Sequence, residues 1–136
     1  MTKLGEFLRD GAARPREPGV WDCCGLPAAW AMACGHPDPM AAWRGVYDTD
    51  EAGEAYAKKY GLVALMGEGL IAAGLTVREG EPQPGDIAVL SFLGQEAGGI
   101  FTGDKWALVG DRGLVFSRFT PAHILQVWEP RPWEKR

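Results

Sequence analysis

Histidine is scarce in this chain of 136 residues: there are two, His36 and His123. Chemistry that needs an imidazole base has only those two places to find it. Cysteine is limited to Cys23, Cys24 and Cys34, an odd number with two adjacent. That counts against a disulfide framework and implies synthesis in a reducing compartment. Lys/Arg clusters are missing, and 14 basic against 18 acidic residues leave a net charge of -4. The electrostatic footprint of a nucleic-acid binder is therefore lacking. No apolar run approaches the roughly 20 residues of a membrane span. The opening stretch MTKLGEFLRDG is amphipathic and carries acids, so it does not read as a signal peptide. There is no internal repeat, low-complexity tract, linker or cofactor motif. The expectation is a single domain over 1-136 with no cofactor, nucleic acid or membrane partner.

What is present is an ordinary globular mix, 46% hydrophobic and 24% charged. Leu4, Phe7 and Leu8 share a face of a short helix ending near Gly11, followed by a Pro/Gly-rich loop. Asp22 stands where an N-cap would, ahead of the apolar run Leu26 to Cys34, and Gly35 closes that helix. Pro27 is tolerable only in a first turn, which places the helix start at Cys23 or Cys24. Asp38 as cap and Pro39 at the first helical position predict another helix. Thr49 or Asp50 opens the next, stopped by Gly61, and a further helix stops at Gly74. After EPQPGD the pattern changes. DIAVLSF is apolar on both alternating faces, as a central strand covered on both sides would be. GGIFTG, KWALVG, GLVFSR and ILQVWEP follow at strand spacing, with turn chemistry at Gly103–Asp104 and Gly110–Gly113. Helices first and strands afterwards predict an α+β fold, helices packed on one antiparallel sheet.

The stretch WDCCGLPAAW raises three readings of its thiols. A single zinc or a disulfide joining Cys24 to Cys34 is excluded if one helix separates them by roughly 15 Å. Cys23 or Cys24 at a helix N-terminus suits a nucleophile, because the dipole favours thiolate, provided a base is in reach. A buried cysteine is otherwise a small hydrophobe.

DCCGL, then QPGDIAVLSF, then AGGIFTGDKWALVG resemble the NlpC-type peptidoglycan endopeptidases, papain-like cysteine peptidases, over roughly Trp21 to Val109. The resemblance implies an NlpC-like fold with Cys23 in the nucleophile position. It also puts Ala97 where the histidine base belongs, and only apolar residues at or beside Val109 where a third polar member belongs. A second resemblance runs through almost the whole chain, to short proteins of phage and prophage tail-gene clusters. It rests on WDC at Trp21–Cys23, GHPDP at Gly35–Pro39, RGVY at Arg44–Tyr47, PGD at Pro84–Asp86, and VW at Val127–Trp128.

These resemblances imply a structural component of a phage tail, near its tip, that has lost catalysis. The protein is then expected in the virion after synthesis in the host cytoplasm, with hub or baseplate proteins as partners. Gln95 and Glu96, in a loop spanning Phe92–Gly99, and Trp133 are the expected contact residues. Cys23 is expected to be a retired nucleophile. The alternative is an active endopeptidase or amidase that opens peptidoglycan with Cys23. A thioesterase-like or acyltransferase use of the fold is a third, unsupported by any motif. His36 reads as part of a helix stop and restart, His123 as a distant candidate base, Asp22 as a cap and Asp86 as a strand-opening turn residue.

Overall fold

Thr2 accepts a hydrogen bond from the Gly5 backbone N–H at 2.9 Å, which starts helix α1, Lys3–Gly11. In the computed structural model, which describes residues 2–130, α1 lays Leu4, Phe7 and Leu8 against the core. Helix α2, Gly25–Ala33, is apolar all round and mostly buried, with Met32 exposed near its C-terminal end. It ends in a Schellman arrangement, His36 N–H to Ala31 carbonyl at 3.0 Å, with Gly35 at φ 96°. Helix α3, Asp50–Tyr60, is capped by the Thr49 hydroxyl. Gly61 at φ 81° turns the chain into α4, Leu62–Ala72. Among the described residues no helix is long and apolar enough to cross a membrane.

The helix expected from Asp38 onward does not form. Asp38 does cap, accepting from Met40 N–H at 2.9 Å, but residues 39–45 remain a series of turns. The Arg44 guanidinium reaches back to both oxygens of Asp38, at 2.7 and 2.9 Å, and closes the segment on itself.

Six strands make one antiparallel sheet. They are β1 (Thr76–Val77), β2 (Ile87–Phe92), β3 (Gln95–Phe101), β4 (Trp106–Val109), β5 (Leu114–Ser117) and β6 (Ile124–Glu129), in the order β1-β6-β2-β3-β4-β5. β2 is central, and its first four residues are buried whichever face they take. One face carries Ile87, Val89, Ile100, Ala107 and Trp128 into the main core beneath the helices. The other carries Ala88, Leu90, Trp106 and Val127 into a smaller core, covered by Phe119 on the β5–β6 crossing. The fold is therefore α+β with helices on an antiparallel sheet.

Two expectations about the strands change. Gln95 to Gly98 belong to β3 and pair with β2, Gln95 opposite Phe92 and Gly98 opposite Val89, instead of forming a loop. The whole connection is the two-residue turn Leu93–Gly94, with φ of 52° and 77°, the turn type that matches strand twist. β1 was not expected; two residues carry no periodicity to read.

Candidate functional site around the cysteine turn

The turn before α2 is built on one carboxylate. Asp22 is buried, 6% exposed, and its two oxygens take four hydrogen bonds. Oδ1 accepts from the N–H groups of Cys24 (3.1 Å) and Gly25 (2.8 Å). Oδ2 accepts from Gly19 N–H (2.9 Å) and the Tyr47 hydroxyl (2.8 Å). The first pair is N-cap chemistry on donors that a helix start leaves unpaired. The second ties the preceding loop and the aromatic segment to the same point. Burial, then the Asp22 charge, hold the Tyr47 hydroxyl far above its ordinary pKa, so it stays a donor. The N-cap of α2 is Cys24, so Asp22 holds the helix start from two residues upstream, through the N–H groups of Cys24 and Gly25, instead of occupying the cap position.

This turn presents Cys23 part-exposed and Cys24 buried, with their sulfurs 4.0 Å apart. The Cys24 thiol is raised well above its ordinary value, first by its hydrogen bond with Cys23 and then by burial. A cavity of about 10 Å³ lies against Cys24, Pro27, Met40, Trp43 and Met66, the volume of a single water at most.

The backbone at Cys23 rests directly on β3. A Cβ added to Gly98 would lie 2.1 Å from the Cys23 carbonyl oxygen and 3.0 Å from Pro27 and Met66 side-chain carbons. A Cβ on Gly99 would instead meet Leu90 and Leu108, on the other face. Alternation then sets Glu96, Gly98 and Ile100 toward α2, and Gln95, Ala97 and Phe101 away from it. Ala97, which the peptidase resemblance aligns with a base, points to the far face, because a one-residue step along a strand changes sides. The residue that meets Cys23 is Gly98, which has no side chain. Val109, on β4, packs against the main core and is apolar.

Neither histidine reaches this place. His36 lies just beyond the C-terminal end of α2, 8% exposed, its Nδ1 2.9 Å from the Ala73 carbonyl. It joins the ends of α2 and α4. His123 lies in a single 3-10 turn, Pro121–His123, its Nδ1 3.0 Å from the Thr120 hydroxyl. Its ring packs edge-on against Phe92, 5.3 Å between centres, and against Phe119. Phe92 has the same strand parity as Leu90, so His123 is on the face opposite α2. Gln95 and Glu96 are exposed at the start of β3. Trp133 lies outside the described residues. The other five tryptophans, Trp21, Trp30, Trp43, Trp106 and Trp128, are buried.

The PGD motif has a separate role. Asp86 is 2% exposed and accepts from Gln83 N–H at 2.8 Å and from the Arg78 guanidinium through both oxygens. Arg78 also pairs with Glu129 of β6 at 3.4 Å. Asp86 therefore fastens the start of β2 to the β1–β6 edge, well beyond a turn-residue role. The sequence did not mark Arg78, because only the sheet order brings it near.

A cysteine at the head of a buried helix, laid on an antiparallel sheet, defines the class: an α+β domain with a thiol turn and no imidazole beside it. The chain belongs to the family described as a domain of unknown function (DUF6950), which matches residues 1–129. No curated protein and no solved structure matches it.

Proposed function

We propose that this protein is a structural component of a phage or prophage tail, near the tip, on an NlpC-like papain-type fold that no longer uses Cys23 in catalysis. One observation carries the loss of catalysis. The strand position facing Cys23 is Gly98, while both imidazoles are committed elsewhere. A thiol nucleophile without a base in hydrogen-bond reach lacks the proton acceptor its mechanism requires. Loss of one member of such a constellation typically removes several orders of magnitude of rate. The tail setting is supported by the near full-length resemblance through WDC, GHPDP, RGVY, PGD and VW. Partners on this reading are hub or baseplate proteins in the virion, and the contact residues are Gln95 and Glu96 beside the β2–β3 turn, with Trp133.

The test has two arms. Purified protein is incubated with peptidoglycan and muropeptides, beside Cys23→Ala; no digestion by either is expected. Hydrolysis that disappears in Cys23→Ala would restore the endopeptidase or amidase reading, which the part-exposed thiol at a helix start favours. Mass spectrometry of purified particles should find the protein at the distal tail. Its absence from wild-type particles would remove the structural reading.

A further inference from the structure

Cys24 is the second thiol of this turn. It follows Cys23 directly, and the two sulfurs sit 4.0 Å apart at the start of α2. From this geometry we infer that Cys23 and Cys24 together form a two-sulfur binding site for a soft, thiophilic centre, of which a trivalent arsenical is the matching chemical class.

Two thiolate bonds of about 2.3 Å, the length made to zinc, hold their sulfurs at most about 4.6 Å apart. The observed separation falls inside that limit, so one centre can bond both with little movement. Soft sulfur ligands select soft acceptors over magnesium, calcium or manganese. A third cysteine does not complete a higher-coordinate site: among the described residues no group of three or more metal-ligating side chains occurs. Cys34 is at the other end of α2, so the ligand class is one satisfied by two sulfurs. Access is sequential. The part-exposed Cys23 thiol reacts first, and Cys24, buried beside the small cavity, closes the ring. The turn itself is held by Asp22, so the thiols are presented together instead of being gathered from a mobile segment.

The step balances without an oxidant. With phenylarsine oxide, two arsenic–sulfur bonds form and the arsenic–oxygen bond breaks. The two thiol protons leave with that oxygen as water, and neither arsenic nor sulfur changes oxidation state. The experiment exposes the folded protein to one equivalent of phenylarsine oxide, then to excess monothiol, and follows the adduct by intact-protein mass spectrometry. One phenylarsine per chain should survive the monothiol and leave on addition of a dithiol such as 2,3-dimercaptopropanol. Cys23→Ser and Cys24→Ser should each shorten adduct survival by about a hundredfold, the low end of the gain from joining two binding events. Cys34→Ser should match wild type. Retention unchanged in Cys24→Ser would overturn the inference, as would retention lost in Cys34→Ser. Melting curves establish that each variant folds; if Cys24→Ser does not, Cys24→Ala carries the same test.

Discussion

Asp22 and Asp86 are both carboxylates sealed from water, yet the protein neutralises them in different ways. Asp22 is met by three backbone N–H groups and a tyrosine hydroxyl, all uncharged. Asp86 is met by a guanidinium and one backbone N–H. The first arrangement uses the carboxylate as a hub: four donors from three segments have no other acceptor. The second uses it as one half of an ion pair, in which each member mainly offsets the burial of the other. Removing Asp22 strands donors, whereas removing Arg78 strands a charge.

Replacing Asp22 by Ala should have the largest effect. It leaves the N–H groups of Gly19, Cys24 and Gly25 and the Tyr47 hydroxyl without their acceptor. A loss of about 4 kcal/mol is expected, at the upper end for single substitutions. Urea unfolding monitored by tryptophan fluorescence checks it. A loss smaller than that of Arg78→Met would break the comparison, showing that the turn re-pairs its donors.

Arg78→Met should cost about 3 kcal/mol at neutral pH, as breaking one side of a buried pair does. Burial already pushes Asp86 above its ordinary carboxylate value, with Arg78 pulling part of the way back. Without Arg78 the folded-state pKa rises further above the unfolded one. The folded protein then favours the protonated acid, so the deficit is greatest at neutral pH and shrinks as pH falls through that folded-state value. Adding Asp86→Asn to Arg78→Met should recover about 2 kcal/mol at pH 7, since the amide still accepts from Gln83 without a charge. Denaturant midpoints across pH 4 to 8 would show it; a deficit flat with pH would mean that the stranded charge is not its cause.

Tyr47→Phe should be mildest, about 1 kcal/mol, one hydrogen bond of the four removed and the ring kept. Tyr47 also stacks with Trp43 and packs on Tyr56, which phenylalanine preserves. If Tyr47→Phe cost as much as Asp22→Ala, the hub would be the hydroxyl and not the carboxylate.

What could be read beforehand was local. Thr49, Gly35 and Gly61 punctuate helices with chemistry that acts within a few residues, so α2, α3 and α4 were visible. β2 was visible because burial on both faces leaves a continuous apolar run. The Asp38 segment misled, since a good cap and Pro39 only start a helix; they do not supply the packing that continues it. Gln95 to Gly99 looked like a loop because polar and small residues carry no alternation. The signal that would have found the strand was Leu93–Gly94 itself, a two-residue turn directly after β2. The partners of the site were illegible for another reason. Tyr47 meets Asp22 across 25 positions, and Arg78 meets Asp86 through the sheet order β1-β6-β2. The thiol pair was readable as sequence; that β3 offers it a bare glycine was not.

That bare glycine also bears on what a substitution can add at this turn. Histidine at position 98 would thrust its first carbon into the Cys23 carbonyl, and the head of α2 would have to move off the sheet to admit it. Histidine at position 97 would be sterically easier and would emerge on the wrong side. Neither position therefore offers a simple place for a base beside Cys23. On this scaffold an imidazole beside Cys23 requires a repacked interface between α2 and β3, not a single substitution.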